Sequence, residues 1–408
     1  MKNYIISFCM LSLLLFSCNN DDDAAKTTIN VAVPITMELS EFRNSVKVSP
    51  AEPTVETGKI YVYNDYIFVA EKNKGIHVID NSEPSNPHTI SFIHVLGNED
   101  ISIKGDYLYA DSAIDLVVFN ISDINNIQIE NRLTDVFSRY DYHWPVDVQR
   151  VRYDNFDYAT EIVIGWNVVK ETIDKDEVVF IFNETKTLVS SSSTGVGGAL
   201  ARFQIYKEYL FTVGSYEMAI FDISNLSNPM IKNKKHVGWN IETMFEADDY
   251  LYLGSTNGMY IYSLENIVDP EYISEFTHWE GCDPVVVDGD YAYLTLRGGN
   301  ACGQLESVLE VIDVKDKTNP TMVGRYNLEN PYGLGFRANT LYVCDGTAGL
   351  KLYDKSNPET LLFQKTFKGI QATDVIPLEN SLIMIGGNII YQYEYLDGDL
   401  NLISAFNL

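Results

Sequence analysis

The 408-residue sequence predicts an all-β protein, a closed propeller of eight four-stranded blades with seven as the alternative, and three observations carry that reading. A turn-anchored hairpin recurs at a fixed interval. Each copy ends in a β-branched run that leads into Asp or Asn and then a Ser/Asn/Pro loop. No long window shows the 3.6-residue period of a helix.

The clearest copy runs from Asp283 to Pro320. An alternating apolar run meets a turn at Gly289-Asp290, a second run follows at once, and a third spans Val308 to Val314. Two alternating runs joined by a Gly-Asp turn are a strong hairpin signal. With Tyr291 as anchor, the equivalents are Tyr66, Tyr107, Tyr209, Tyr250, Thr340 and Ser381. Most steps are 41 residues; the step to Thr340 is 49, and the step from Tyr107 to Tyr209 is 102. The long step leaves room for one more unit, so Pro145 to Ser193 reads as a degraded copy. A period near 40 with several β-runs per unit is the signature of propeller blades.

The closing runs, among them Gly75-Ile-His-Val-Ile-Asp80 and Leu309-Glu-Val-Ile-Asp313, resemble the LVIVD repeat of bacterial surface proteins. The resemblance spans roughly residues 55 to 408 and is weakest between Pro145 and Ser193. It implies a propeller; the family has no settled activity, so it implies no reaction.

Residues 1–17 hold one basic residue, Lys2, and an apolar run from Ile5 to Phe16. That run is too short to span a bilayer and reads as a signal peptide. Leu15-Phe16-Ser17-Cys18 resembles a lipobox, with Cys18 acylated; several acyl chains at one site anchor a protein stably. Residues 18–28 form a polar tether whose Asp21-Asp22-Asp23 resembles the surface-export signal of Bacteroidetes lipoproteins; the plain alternative is a solvated linker. Residues 29–54 are a lead-in segment with one apolar run, Ile29 to Met37, suited to an extra edge strand. Residues 55–408 make the propeller. The implied address is the outer membrane, held by lipid alone, with outward exposure open.

The net charge is −28, and loss of Lys2 with the leader makes it −29. Such a chain repels phosphates and anionic lipid, which excludes nucleic acid and non-specific membrane contact as partners. Closed repeats let so long a chain form one unit.

Cys9 leaves with the leader and Cys18 is lipidated. Cys282, just before an inner strand, and Cys302, in the enlarged loop after the second strand, return to one face of an up-and-down hairpin. A disulfide between them is favoured over two free thiols or a soft-metal pair, because two thiolates without nearby His make a poor zinc site. Closing a loop of about 20 residues contributes ~3 kcal/mol on the chain-entropy account. Cys344 reads as a buried packing residue.

No nucleophile elbow, zincin, Walker or dinucleotide motif occurs, and no cofactor or metal is implied. The face bearing the blade linkers and the loops after each second strand is the expected functional face. Two residue sets fall there. Asp100, Asp147, Asp283 and Asp374 open inner strands, where carboxylates ring a channel mouth and suit a cation or acid–base work on a sugar. The plain reading is a rim of Asp side chains bonding linker amides. Trp144, Trp239 and Trp279 sit on equivalent linkers, suited to stacking on a sugar or a partner side chain, or to plugging grooves between blades. Arg297 opens the enlarged Gly-rich loop; with Asp283, Trp279 and the Cys282–Cys302 bridge it makes a candidate site, extended by Trp239 and Asp374. The reading is a surface lipoprotein that binds a glycan or protein partner. The alternative is a carboxylate-based glycan hydrolase or lyase.

Overall fold

The computed structural model describes residues 26–138, 145, 148–174, 196–197, 200–256, 258–277, 284–298 and 306–408. Seven units of four consecutive antiparallel strands occupy 57–94, 101–133, 203–236, 241–277, 285–327, 334–367 and 374–407. The all-β propeller of the sequence reading is what is seen.

The repeat is legible in the packing. The residue two places after each anchor lies on the second strand and points into the seam between blades. Phe68, Tyr109, Phe211, Tyr252 and Tyr293 hold this position, all essentially fully buried. Burying so large a ring stabilises each seam by roughly 1.5–3 kcal/mol. In all seven units the third and outer strands are offset by a bulge at an equivalent register, as between Val78 and Ile79 and between Val311 and Ile312. Bulges of this kind add to the twist of each blade. Two third strands open on glycine, Gly75 and Gly258, and a third follows directly after Gly349; at each a Cβ would meet a carbonyl oxygen of the outer strand at 2.0 Å.

Seven apolar seams close the ring. Each joins one blade to the next, ending with Ile60, Val62 and Ile67 of the first blade against Ile376, Ile383 and Ile390 of the seventh. The last seam is latched by Gln392 and Ser404, which donate to Asn81 and to the Pro84 carbonyl.

Eight sheets are present among the described residues, the number the spacing anticipates, but the eighth is not a four-stranded blade. Part of the stretch read as a degraded copy forms a 14-residue strand, Glu161–Asp174, which pairs antiparallel with the lead-in strand Lys26–Glu38. Arg150–Val151 completes that three-stranded sheet. Meanwhile the second blade packs directly on the third: Tyr109 Oη donates to the Leu226 carbonyl at 2.9 Å, and Tyr109, Leu116 and Val118 pack with Phe203, Leu210 and Phe221. No slot for another blade remains between them, so the seven-blade alternative describes the ring.

The lead-in therefore adds no edge to a blade through its first strand. After it, the short helix Leu39–Asn44 buries Phe42, and Lys47–Pro50 then pairs with the outer strand of the first blade. Val196–Gly197 pairs with Tyr61 and Val62, on the free inner edge of the same blade.

A candidate ligand cavity beneath the lead-in sheet

The three-stranded sheet lies over the linker face of the ring, and a partly open cavity of about 390 Å³ lies between them. That size falls within the usual range for small-molecule sites. Residues Ile162 to Trp166 form its roof, while Glu99, Asp111, Arg202 and Tyr216 line it from the second and third blades.

The roof is fixed by the lead-in. Leu39 N donates to the Thr160 carbonyl at 2.8 Å, and Phe42, fully buried, packs with Ile114 and Ile162. Arg43 makes a two-point contact with the buried Asp115, at 2.9 and 3.1 Å, and a further 2.9 Å pair with Asp135. Fork-shaped Arg–carboxylate contacts of this kind fix orientation as well as adding energy.

The floor is a charge network built at the starts of neighbouring inner strands. Asp100 Oδ2 accepts the backbone amides of Arg202 (2.7 Å) and Phe203 (3.0 Å) on the next blade, and Asp100 Oδ1 accepts its neighbour Ile101 N. Lys59 Nζ lies 2.9 Å from Asp100, both side chains being buried. Burial pulls the Lys59 ammonium down and pushes the Asp100 carboxyl up, and their mutual attraction opposes both. Arg202 also pairs with Glu99.

Asp111 is held differently. Its Oδ1 accepts three donors: Asn98 Nδ2 at 2.7 Å, Glu99 N at 2.8 Å and Asp100 N at 3.0 Å. Burial, followed by the nearby Glu99 charge, pushes its carboxyl up to about 7 despite those amides. A half-buried carboxyl near neutrality can accept from a ligand or carry a proton to one.

Aromatic rings continue outward. Trp166 stands edge-on to Tyr153 at 5.8 Å, and Tyr216 is 6.3 Å from Trp239, which also meets His236 at 5.0 Å. Trp239 is 65% exposed, so it is no groove plug.

Of the residues singled out in the sequence, Cys18, Trp144, Asp147, Trp279, Cys282, Asp283 and Cys302 lie outside the described residues. Trp239 reaches the cavity only through Tyr216. Asp100 and Asp374 are buried and do not form an open rim: Asp100 ties two blades together, and Asp374 accepts the Val375 amide (2.9 Å) against Gly333. Asp100 bonds amides at the start of the next blade, as the plain reading has it, but neither side chain stands on a solvated rim, and the amide that Asp374 accepts is that of its own strand neighbour. Arg297 is also buried, its guanidinium stacked 4.3 Å over Tyr332 with no partner for Nη2 among the described residues, and it does not line the cavity. Arg297, Trp239 and Asp374 are thus not brought together around one mouth. Cys344 is fully buried and free, as its sequence context implies.

Asp111, Glu99, Tyr216 and Trp166 were not visible as a site in the sequence. One signal was present: Lys59, Asp100 and Arg202 occupy the same phase in three units of the ring, an alternation of charge that these neighbouring strand starts turn into contacts. Among the described residues no cluster of His, Cys, Asp and Glu is placed to hold a metal ion, and no helix is long and apolar enough to cross a membrane.

Fold and cavity together define a repeat propeller with a cavity on its linker face, roofed by the strand that pairs with the lead-in. The chain carries the LVIVD repeat, matched at residues 56–92, 98–132, 197–235 and 282–328. No curated protein matches the sequence. Among solved structures, a protein from Lactobacillus plantarum is similar at 12% identity over 86% of this chain and 96% of that one, with a TM-score of 0.50. A functionally unknown protein from Desulfotomaculum acetoxidans is similar at 11% identity, covering 86% and 96% of the two chains, TM-score 0.49. The computationally designed Ika8 protein is similar at 9% identity, covering 85% and 86%, TM-score 0.49. At such identities the likeness is one of fold alone.

Proposed function

We propose that this protein is a lipid-anchored binding protein of the outer membrane, whose propeller is a rigid frame for one ligand cavity. The observation that carries the binding role is the cavity itself: about 390 Å³, roofed by Trp166 and floored by Asp111, Glu99 and Arg202. An aromatic wall with a few convergent polar groups suits a sugar unit or a partner's side chain. The anchor rests on the lipobox-like Cys18.

Two experiments test this reading. Purified protein is screened against glycan and peptide arrays, and any hit is titrated against Trp166→Ala; a ten-fold or greater loss is expected, and wild-type affinity removes the cavity from the reading. Separately, Cys18→Ala is expected to release the protein from membranes, and unchanged retention on fractionation removes the anchor.

A second reading is favoured by one observation. Asp111, with its carboxyl near 7 and Glu99 beside it, has the character of a general acid. In that case the protein cleaves the glycan it binds, and turnover of an array hit that vanishes in Asp111→Asn is the sign of it.

A further inference from the structure

The lining charges of the cavity do not balance, and the imbalance has one centre. Glu99 is paired with Arg202, and Glu217 has Lys234 at 3.6 Å. Asp111 makes no ion pair with any described Lys, Arg or His. Its Oδ1 is filled by three N–H donors, and no described group donates to Oδ2. A carboxylate with one oxygen pinned by backbone is aimed by the fold and does not swing to find a partner. Leaving it uncompensated in a cavity roofed by Ile162, Ile164 and Trp166 is costly.

We propose that the cavity takes an organic cation, an alkylammonium on a short apolar stem, with Asp111 Oδ2 as its anionic partner and Trp166 as its wall. This rests on the reading of the cavity as a binding site and names the chemistry that fits it. Aromatic faces attract such cations, most strongly where water is excluded. Trp166 and Tyr216 both line the cavity with Asp111. The stem of the ligand covers the apolar roof, as a lysine stem covers apolar surface elsewhere. A neutral sugar satisfies the rings but leaves the Asp111 charge alone. The net charge of −28 also draws cations to the protein over a distance.

An ammonium group of this kind has two sources, a lysine side chain and an amino sugar. Calorimetric titration at pH 7, where a sugar amine is still largely protonated, with two probe pairs separates them: N-acetyl-lysinamide against its uncharged isostere N-acetyl-norleucinamide, and methyl glucosaminide against methyl N-acetylglucosaminide. The cationic member of at least one pair is expected to bind ten-fold or more tightly than its neutral partner. Preference in the first pair alone assigns a peptide source, and in the second alone an amino sugar. Asp111→Asn is expected to remove the preference while keeping the amide contacts, because the Asn Oδ1 accepts the same donors; circular dichroism confirms its fold. Affinity for the lysine probe, whose amine is charged at both values, is expected to fall about ten-fold between pH 8 and pH 6, as a carboxylate titrating near 7 loses its charge. Equal affinity within both pairs, no binding of any probe, or an undiminished preference in Asp111→Asn overturns the proposal. A neutral glycan that binds wild type and is lost in Trp166→Ala would retain the cavity as a site while refuting the cation.

Discussion

Lys59 and Asp100 form a buried ion pair across the first seam of the ring, 2.9 Å apart and 4% and 1% exposed. Asp100 then reaches over the second seam to the amides of Arg202 and Phe203, so three blades meet at one carboxylate. Removing one partner of such a pair strands the other charge. Lys59→Met is expected to destabilise the fold by about 3–5 kcal/mol, and the loss in the double variant with Asp100→Asn is expected to fall short of the sum of the two single losses. Denaturant unfolding of the four proteins measures this; additive losses would show that the two side chains do not act as a pair.

Asp111 makes stability depend on pH. Its carboxyl sits at about 7 in the folded state against 3.8 ordinarily, so the native protein holds a proton that the unfolded chain has released. Stability from this group is full below pH 4 and declines as pH rises through 7. Asp111→Asn is therefore expected to raise the thermal midpoint relative to wild type at pH 8 and to change it little at pH 4. Thermal scans of both proteins at the two pH values read the difference. A gain of equal size at pH 4 would assign it to something other than proton release.

Phe42 is the pin of the cavity roof. Its ring is fully buried against Ile114 and Ile162, joining the lead-in helix to the second blade and to the roof strand. Phe42→Ala costs about 3–5 kcal/mol where the surroundings cannot collapse. The seven seams do not involve this residue, so the loss is expected to fall on the lead-in and roof. Limited proteolysis should then cut within 26–50 or 150–174 while the blades persist, and binding in the cavity should fail. Intact lead-in at equal protease exposure would show that the roof does not depend on this ring.

The Cys282–Cys302 pair lies outside the described residues, and the sequence alone supports a bridge there. Alkylation of the mature protein under denaturing conditions without reductant is expected to label Cys344 only; reduction first should add Cys282 and Cys302. Labelling of all three without reductant would show free thiols.

Much of the ring was legible before any coordinate. The turn anchors, tyrosine in five units and Thr340 and Ser381 in the other two, mark each hairpin because a strand pair must reverse at a fixed place. The large residue two positions later repeats because each seam needs a similar filler; Phe68, Tyr109, Phe211, Tyr252, Tyr293 and Tyr342 are aromatic, and Ile383 takes the place in the last unit. Cys344 read as buried because it continues an alternating strand. These are local rules with a period, and a period survives in a single sequence.

What only the tertiary structure decided was the number of blades in the ring and the place of the cavity. The long gap after Tyr107 has the length of a blade, yet its residues 161–174 pair with 26–38, a contact spanning more than a hundred positions with no repeat to announce it. Once the second blade meets the third at Tyr109 and Leu226, the displaced strand has to lie over the face, and its roof turns Asp111 from one more carboxylate near a strand end into a half-buried one. Asp100 and Asp111 are the same residue type eleven positions apart on one blade. Asp100 ties two blades together and Asp111 lines a cavity, because long-range packing, which no sequence period encodes, sets how much water and which donors each carboxylate keeps.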